Sequence, residues 1–352
     1  MYYHKASTYT VESVTSGHPD KVCDQISDAF VDAYLAKDPR SRVAVESFGS
    51  HGLLVIGGEV TSKGAVDAKK LALTVYRDIG YADSPKIMSN IVSQSPDIAK
   101  GVDTGGAGDQ GIMYGYAINQ TPQLLPKTLV LVHALTAGLE RLRRHDGECA
   151  WLGPDGKAQI TVQRRKITSV LVSCQHSPKI SQPEIKKILI RKLIKPTIGD
   201  LAGIEVLVNP TGKFTIGGFT ADTGLTGRKI MVDSYGGIIP HGGGAWSGKD
   251  PTKVDRSGAY MARFVAKNIV ANGLAKECLV SVAYAIGRVK PLMVHAHDET
   301  GKDLTPFVNR HFDFSPQAMI ERLNLRRPIY QPTAAYGHFS NASFPWEEVI
   351  KL

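Results

Sequence analysis

Apolar residues recur along the chain at two different spacings. One is the spacing of three or four residues that marks a helix with one buried face, as at Val22, Ile26, Phe30 and Ala33 after Pro19. The same spacing predicts further helices over residues 66–79, 127–145, 183–194 and 253–272, and around 306–312. Apolar runs bounded by turn residues predict paired strands over residues 42–48 and 53–60, 158–162 and 167–172, and 278–286 and 292–297.

The predicted helices and strand pairs follow one another in three rounds. This repetition predicts an α+β protein of three similar domains, each with helices packed on a small, mostly antiparallel sheet. We predict the domains at residues 1–97, 104–214 and 216–352. A short apolar run over residues 230–233 predicts one more strand in the last domain.

Composition narrows the class of protein. With 352 residues, of which 42% are hydrophobic and 21% charged, the chain can bury the cores of two or three soluble domains. It has no apolar run near the roughly 20 residues of a membrane span, and its first residues lack the apolar core of a signal peptide, so we expect a cytoplasmic protein without a membrane partner. The four cysteines form no Cys-x-x-Cys pair, which favours reduced thiols.

The formal net charge of +9 points to an anionic partner. Nucleic acid is one candidate, but aromatic residues make up only 7% of the chain and the basic residues are spread among acidic ones. A polyphosphate held in a fixed pocket explains the local basic clusters at least as well. We therefore expect no nucleic-acid partner.

The strongest of these basic clusters follows a glycine-rich stretch. Residues 236–248 contain six glycines, and Lys249, Lys253 and Arg256 follow at spacings that place them on one side of a helix. Asp250 or Thr252 is the expected cap of that helix, whose first N–H groups would then face a phosphate chain. A P-loop also has this glycine spacing, but Asp250 stands where a P-loop needs Ser or Thr to bind magnesium, which argues against that motif.

Other polar residues stand at places where a cap or a plain loop does not require them. His18, Asp20 and Lys21 surround the predicted start of the first helix, and Glu46 and Glu59 lie in or beside apolar strands, where a carboxylate is either exposed or paired with a cation. The long polar connection that contains Gln94 and Asp109 has the composition of a lid, or of a plain surface loop. Asp222 beside Arg228 and Lys229 suits a zwitterion, a metal–phosphate complex or a salt-bridged turn.

In order along the chain, four motifs resemble the S-adenosylmethionine synthetase family. They are Gly-His18-Pro-Asp20-Lys21, Gly106-Ala-Gly-Asp109-Gln-Gly111, Asp222-x-Gly-Leu-Thr-Gly-Arg228-Lys229 and the stretch from His241 to Arg256. The resemblance runs from Val11 to Trp346. It implies three related domains about a pseudo-threefold axis. It also implies an enzyme in which the sulfur of L-methionine attacks C5′ of ATP and expels the triphosphate, which is then split into phosphate and pyrophosphate.

The resemblance also implies roles for particular residues. His18 would lie beside the leaving oxygen. The triphosphate would be neutralised by Arg228, Lys229, Lys249 and Lys253. Two Mg²⁺ would be held by Asp20 and Asp255, and one K⁺ by Glu46. Methionine would contact Glu59, Gln94, Asp222 and Lys253. The nucleotide site would also be lined by Asp155, Lys157, Lys213, Phe214, Asp222 and the backbone of Ala245. Each site would form between two subunits of a homodimer or a dimer of dimers.

The chain departs from the family pattern in a few places. Phe219 and Ala221 stand where Pro and Gly are usual, just before Asp222, and Lys213 stands where Arg is common. The connection over residues 96–111 is shorter than in typical bacterial members. Three other activities are alternatives at this point: a P-loop-like ATPase, a relative that only hydrolyses tripolyphosphate, and a basic nucleic-acid-binding protein.

Overall fold

The computed structural model describes residues 7–93 and 105–352, so Gln94 lies outside the described residues. In these residues the helices are α1 (Pro19–Lys37), α2 (Ala68–Ile79), α3 (Lys127–His145), α4 (Gln182–Leu189), α5 (Lys195–Ile198), α6 (Ile230–Asp233), α7 (Val254–Ala271), α8 (Thr305–His311) and α9 (Pro316–Arg322). The strands are β1 (Thr8–Val14), β2 (Arg42–Ser50), β3 (Leu53–Thr61), β4 (Lys86–Val92), β5 (Gly111–Ile118), β6 (Leu152–Gln163), β7 (Lys166–His176), β8 (Glu205–Val208), β9 (Gly224–Leu225), β10 (Glu277–Tyr284) and β11 (Met293–Asp298).

The strands form three small sheets, with the orders β1-β6-β7-β8, β4-β3-β2-β9 and β11-β10-β5. Each predicted strand pair is an antiparallel hairpin. The pairs β2-β3 and β6-β7 lie at the centre of their sheets, and β11 is an edge strand. Two pairings, β3 with β4 and β7 with β8, are parallel, so two of the sheets are mixed. The prediction of an α+β protein with helices on small sheets is confirmed.

Each sheet also takes a strand from a distant part of the chain. β1 pairs with β6, β9 pairs with β2, and β5 pairs with β10. These pairings interlock the three predicted chain segments. They also bring the glycine-rich stretches after β8 and after α6 next to the N-terminal hairpin, where the candidate site lies.

The first helix begins where the local sequence predicts. α1 begins at Pro19, and His18 is its N-cap residue, as the proline and the polar residues around it predict. α3 also has the predicted bounds. α1 is buried on almost all of its surface, so its charged residues lie inside the protein rather than on a solvated face.

The predicted helix over residues 253–272 is confirmed as α7, but its expected cap is wrong. α7 begins only at Val254, so Lys249 lies in the preceding turn, and neither Asp250 nor Thr252 is the N-cap residue. The reason is that the buried Asp250 carboxylate accepts hydrogen bonds from the backbone N–H groups of Val43 and Thr252, at 2.7 and 2.8 Å. These bonds fasten the turn to β2 instead of opening a helix.

The predicted strand over residues 230–233 is also wrong, because this segment is helix α6. Its last residue, Asp233, donates its N–H to the carbonyl of Lys229 at 2.9 Å and pairs its carboxylate with the buried Lys21. A four-residue apolar run has no periodicity that separates a strand from a short helix.

The four cysteines, Cys23, Cys149, Cys174 and Cys278, are buried and free, as predicted. Within residues 7–93 and 105–352, no helix has the length and apolar character needed to cross a membrane.

Candidate active site

His18 lies at the mouth of α1 and is almost completely buried. Its Nδ1 accepts a hydrogen bond from the backbone N–H of Asp20 at 3.2 Å, so a neutral ring carries its proton on Nε2. Burial, helped by the nearby Lys229 and Lys157, lowers the pKa of His18 to about 3. At neutral pH this side chain is therefore an uncharged hydrogen-bond donor.

Asp20 gathers the two adjacent cations of the Asp222–Lys229 motif. Its carboxylate receives Lys229 Nζ at 2.6 Å and Arg228 Nε at 2.8 Å, and it accepts the backbone N–H of Leu225 at 3.0 Å. Burial alone would raise the pKa of Asp20, but the hydrogen bond and the charge of Lys229 outweigh it, so the pKa lies below its usual value. The motif's two cations are thus held directly beside His18.

Two further carboxylates on α1, which none of the sequence motifs predicted, hold the neighbouring loops. Asp20, Asp24 and Asp28 recur every four residues on one side of the helix, and all three are fully buried. Asp24 accepts the N–H of Gly227 at 2.8 Å, and Asp28 accepts the N–H of Gly248 at 2.8 Å. The four-residue spacing of the acids on a helix with few solvated positions was the signal that could have revealed them.

These carboxylates are balanced by buried cations. Lys21 donates to Asp24 at 2.9 Å and also to Asp233. Arg256 makes two bonds to Asp28, at 2.6 and 2.9 Å, and its guanidinium also donates to the carbonyl of Lys249 at 3.1 Å. Breaking such a pair leaves an uncompensated buried charge, so the pairs fix the positions of the loops that they join.

Asp155 and Lys157 extend the site along β6. Asp155 is only 5% exposed, its Oδ2 accepts the N–H of Gly218 at 2.9 Å, and its buried Oδ1 has no partner among the described residues. Burial raises the pKa of Asp155 to about 6. Lys157 is exposed, and its charge acts on both Asp155 and His18. A buried acceptor without a donor is a natural place for a ligand hydroxyl.

The other predicted nucleotide and loop residues lie nearer the surface. Asp222 and Lys213 are exposed, Phe214 is half-buried, and Asp109 accepts the N–H of Gln110 at 2.7 Å. The charge of Asp222 acts on Asp155, which places the two carboxylates near each other. We name the residues around His18 the His18 group: His18, Asp20, Asp155, Lys157, Asp222, Arg228 and Lys229.

A second set of charges surrounds the glycine-rich stretch. Lys249 donates to Asp255 at 2.6 Å, and Lys253 pairs with Asp250. Asp255 lies against the backbone of this stretch, because a Cβ on Gly244 would stand 2.1 Å from its Oδ1. A residue other than glycine at position 244 would therefore displace the carboxylate.

The glycine-rich stretch approaches its own chain closely, so part of its backbone is packed against the protein itself. A Cβ on Gly242 would stand 1.5 Å from the carbonyl oxygen of Ile112, and one on Gly248 would stand 2.0 Å from that of Val45. The N–H groups of Gly248 and Thr252 are bonded to buried aspartates of the chain itself. Directly after this stretch, Lys249 and Lys253 have partly exposed side chains, which makes them cations that a ligand can reach.

Glu46 and Glu59 lie on the outer face of the β4-β3-β2-β9 sheet. Ala44 on β2 pairs with Glu59 on β3 and bridges to Lys249 on its other side, so the side chains of all three lie on one face. With strands about 4.8 Å apart, Glu59 and Lys249 stand about 10 Å apart across the small Ala44. Glu46 is exposed on this face, and among the described residues neither glutamate has a hydrogen-bond or ion-pair partner.

We name this second set the Lys249 group: Glu46, Glu59, Lys249, Lys253 and Asp255. Among residues 7–93 and 105–352, no hydrogen bond or ion pair joins a side chain of this group to one of the His18 group. The two groups approach each other through backbone packing, since a Cβ on Gly227 would stand 2.6 Å from Cβ of Ala245. One chain thus brings the predicted residues together as two sets.

Neither set forms a metal centre made by protein alone. Within the described residues, no three His, Cys, Asp or Glu side chains gather as metal ligands. The candidate magnesium ligands, Asp20 and Asp255, are each bonded to a lysine. Carboxylates in this arrangement can contribute one ligand each to an ion whose other ligands come from substrate phosphates and water.

Comparison with known proteins identifies the family. Models of the N-terminal, central and C-terminal domains of S-adenosylmethionine synthetase match residues 6–96, 104–214 and 216–348. The chain belongs to the S-adenosylmethionine synthetase family. Members of this family require metal ions.

Curated relatives match over almost their full length. The S-adenosylmethionine synthase of Thermus thermophilus is 47% identical over 97% of this chain and 96% of its own length. The enzymes of the same name from Pseudothermotoga lettingae and Desulforudis audaxviator are each 48% identical over the same shares. The resemblance drawn from the four motifs is confirmed.

Proposed function

We propose that this protein is a methionine adenosyltransferase that forms S-adenosylmethionine from ATP and L-methionine. The observation that carries the proposal is the surroundings of His18: a neutral Nε2–H donor beside a carboxylate that holds two cations, Arg228 and Lys229. This arrangement suits the departure of a highly charged leaving group from carbon. It does not suit base catalysis, because His18 does not titrate near neutral pH.

In this reaction the leaving group needs more stabilisation than the nucleophile does. A thioether sulfur is a good nucleophile without deprotonation, so the enzyme has to align it with C5′ and to stabilise charge that develops on the 5′ oxygen and the phosphates. In our proposal, Nε2–H of His18 donates to the 5′ oxygen. Arg228 and Lys229, with Lys249 and Lys253, exchange their aspartate partners for phosphate oxygens when ATP binds.

The carboxylates released in that exchange fit the proposed metal ions. Asp20 and Asp255 would each hold one of two Mg²⁺, since carboxylate oxygens suit this ion and protein ligands alone do not complete either site. Glu46, exposed and without a partner among the described residues, would hold one K⁺. When bound, the ions supply positive charge that offsets the charge developing on the triphosphate.

The substrate contacts follow from the unpaired polar groups. Asp155, whose Oδ1 has no donor in the described part of the chain, would accept a hydroxyl of the nucleotide, with Lys157, Lys213 and Phe214 lining the same site. Methionine is a zwitterion. Glu59 would take its ammonium group and Lys253 its carboxylate, with Asp222 and Gln94 as further contacts.

We propose a homodimer, or a dimer of dimers, in which the His18 group of one subunit meets the Lys249 group of the next. The outer face of the sheet that carries Glu46 and Glu59 supports this proposal. That face is lined by large apolar side chains that are partly exposed: Phe48 is 38% exposed, Met88 51% and Val92 51%. Registered strands place them beside the glutamates. A second copy would cover this apolar surface and complete each site.

We also propose a cytoplasmic location, which the four free, buried cysteines support, because reduced thiols persist in that compartment.

One assay tests the activity. The purified protein is incubated with ATP, Mg²⁺ and K⁺, with and without methionine, and the products are identified by mass. We expect S-adenosylmethionine, phosphate and pyrophosphate only when methionine is present. ADP formed without methionine would support an ATPase instead, and intact ATP in both samples would contradict any nucleotide chemistry.

A further inference from the structure

Three aromatic rings form a stack behind the His18 group. Tyr76 of α2 lies between Tyr81 and Phe219, with ring centroids at 4.8 and 5.5 Å and interplanar angles of 16° and 8°. Phe219 is fully buried, and Tyr81 is 8% exposed. Phe219 is one of the residues that depart from the usual family pattern. Stacked rings of this size are stiff and contribute more than their buried area alone.

One end of the stack holds the residue that precedes His18. The hydroxyl of Tyr81 donates to the carbonyl of Gly17 at 2.5 Å. Burial raises the pKa of Tyr81, so the hydroxyl keeps its proton and remains a donor. Gly17 itself packs closely against the backbone of Pro154, because a Cβ at this position would stand 2.3 Å from the carbonyl oxygen of Pro154.

The loop over residues 217–222 contacts both ends of the stack, because Phe219 belongs to it and Gly218 lies against Tyr81. Gly218 has a φ of +62° and lies against Tyr81, since a Cβ there would stand 2.5 Å from the tyrosine ring. Its N–H donates to Asp155 Oδ2 at 2.9 Å, and its carbonyl accepts the N–H of Asp222 at 3.1 Å. The carbonyl of Phe219 accepts the N–H of His51 at 2.6 Å.

We propose that Tyr81 and Phe219 are positioning residues, and that their stack with Tyr76 fixes His18 relative to Asp155 and Asp222. This inference rests on the proposed function, because it concerns the alignment of the leaving group with the two substrates. Neither ring touches a substrate in this scheme. Their effect is to keep three site residues in one geometry, which catalysis by alignment requires.

Tyr81→Phe tests the end near His18. The variant keeps the ring and removes the hydroxyl bond to Gly17. We expect kcat to fall about tenfold while the KM values for ATP and methionine stay within about twofold, because the loss is felt when the leaving oxygen gains charge. Tyr284→Phe is the matched control. It removes a similar buried bond, from the tyrosine hydroxyl to the carbonyl of Phe314 at 2.8 Å, on the β11-β10-β5 sheet.

Phe219→Leu tests the other end. The leucine keeps the site apolar but removes the stacked ring, so we expect a higher KM for methionine through the displaced Asp222, together with a lower kcat. If the stack acts as one unit, the Tyr81→Phe/Phe219→Leu double variant loses less kcat than the product of the two single losses. A purely structural role would lower the unfolding temperature of the variants without this coupling in kcat.

The outcomes separate the two proposals. If the parent protein and Tyr284→Phe both fail to make S-adenosylmethionine, the proposed function is rejected. If both make it and Tyr81→Phe has the same kcat as Tyr284→Phe, the positioning role is overturned. If Tyr81→Phe and Tyr284→Phe lower the unfolding temperature equally and only the former lowers kcat, the positioning role is supported.

Discussion

The His18 group and the Lys249 group carry the same kinds of side chain, yet the fold treats them differently. Helix α1 bonds the loops of both groups, at Leu225 and Gly227 in the one and at Gly248 in the other. In the His18 group, the carboxylates of Asp20 and Asp155 are also buried and bonded within the chain. In the Lys249 group, the two glutamates lie on an outer sheet face with no partner among the described residues. The first half of the site is organised by one chain. The second half is left open to another molecule.

In the ligand-free protein, cations of both groups are paired with carboxylates of the same chain. Lys229 rests on Asp20, and Lys249 rests on Asp255, both at 2.6 Å. In the proposed mechanism, the phosphates of ATP replace the carboxylates as partners of the lysines, and the carboxylates turn to metal ions. Each of these two lysines and two aspartates therefore has a partner before and after binding, which limits the cost of desolvating it.

The largest expected effect comes from removing the charge of Lys249 in the Lys249 group. We predict that Lys249→Ala lowers kcat at least about 100-fold, because it removes a charge aimed at the departing triphosphate. Synthesis of S-adenosylmethionine at saturating substrates measures the loss. Thermal unfolding and gel filtration show whether the fold and the assembly persist.

Lys249→Gln is the companion variant, because its amide can still donate to Asp255 without carrying a charge. It should lose as much activity as Lys249→Ala while remaining closer to the parent in stability. Near-normal synthesis by either variant would remove Lys249 from the mechanism and would leave the His18 group to act alone.

The next effect tests whether the two groups belong to one site in a dimer. We predict that co-expressing Lys249→Ala with His18→Asn subunits restores about a quarter of the parent activity, since half of the randomly formed dimers are mixed and each mixed dimer has one intact site of two. Each variant alone should be nearly inactive. Mixed dimers isolated through two different affinity tags should show about half of the parent activity.

A pair of variants within one group is the control. Co-expressed His18→Asn and Lys229→Ala subunits should stay inactive, because every site then contains one damaged His18 group. Recovery in this same-group pair, or its absence in the cross-group pair, would contradict a site shared in this way.

The local features of this fold could be predicted from the sequence, and the pairings between distant segments could not. Pro19 after His18 predicts the start of α1, because the proline and the cap act within one turn. The pairing of β1 with β6, or of β9 with β2, joins strands that are far apart in the chain, and no local pattern encodes such a pairing. The cap of α7 was wrongly expected at Asp250 because the Asp250 side chain bonds to Val43, a residue 207 positions away.

The residues of the site could likewise be predicted only in part. The motifs identified the charged residues, since few structural roles explain His18, Asp20 and Lys21 together. They did not show that Asp24 and Asp28 hold the loops, because an acid on a helix is usually solvated and only burial reveals its partner. Nor did they separate the residues into two groups, which depends on how three sheets pack.

The smallest expected effect concerns Asp155, a buried carboxylate of the His18 group. Its pKa is raised to about 6, chiefly by burial, so it is charged above that pH and protonated below it. If the charged form accepts a hydroxyl of ATP, the KM for ATP rises as the pH falls below about 6, and the KM for methionine does not follow. We predict that Asp155→Asn raises the KM for ATP about tenfold at pH 8 and abolishes this pH dependence.

Stability gives a second, opposite readout for the same variant. The pKa of Asp155 is higher in the folded protein than the value of 3.8 for the free group, so the charged form opposes folding; this cost is absent below about pH 4 and complete above about pH 6. Asp155→Asn should therefore unfold at a higher temperature than the parent at pH 8 but not at pH 4. Glu59→Gln, on the open sheet face, is the contrasting variant, because it should raise the KM for methionine and leave the unfolding temperature unchanged at both pH values. Equal shifts of the unfolding temperature in the two variants would mean that the His18 group and the Lys249 group do not differ in the burial of their carboxylates in the way that the fold implies.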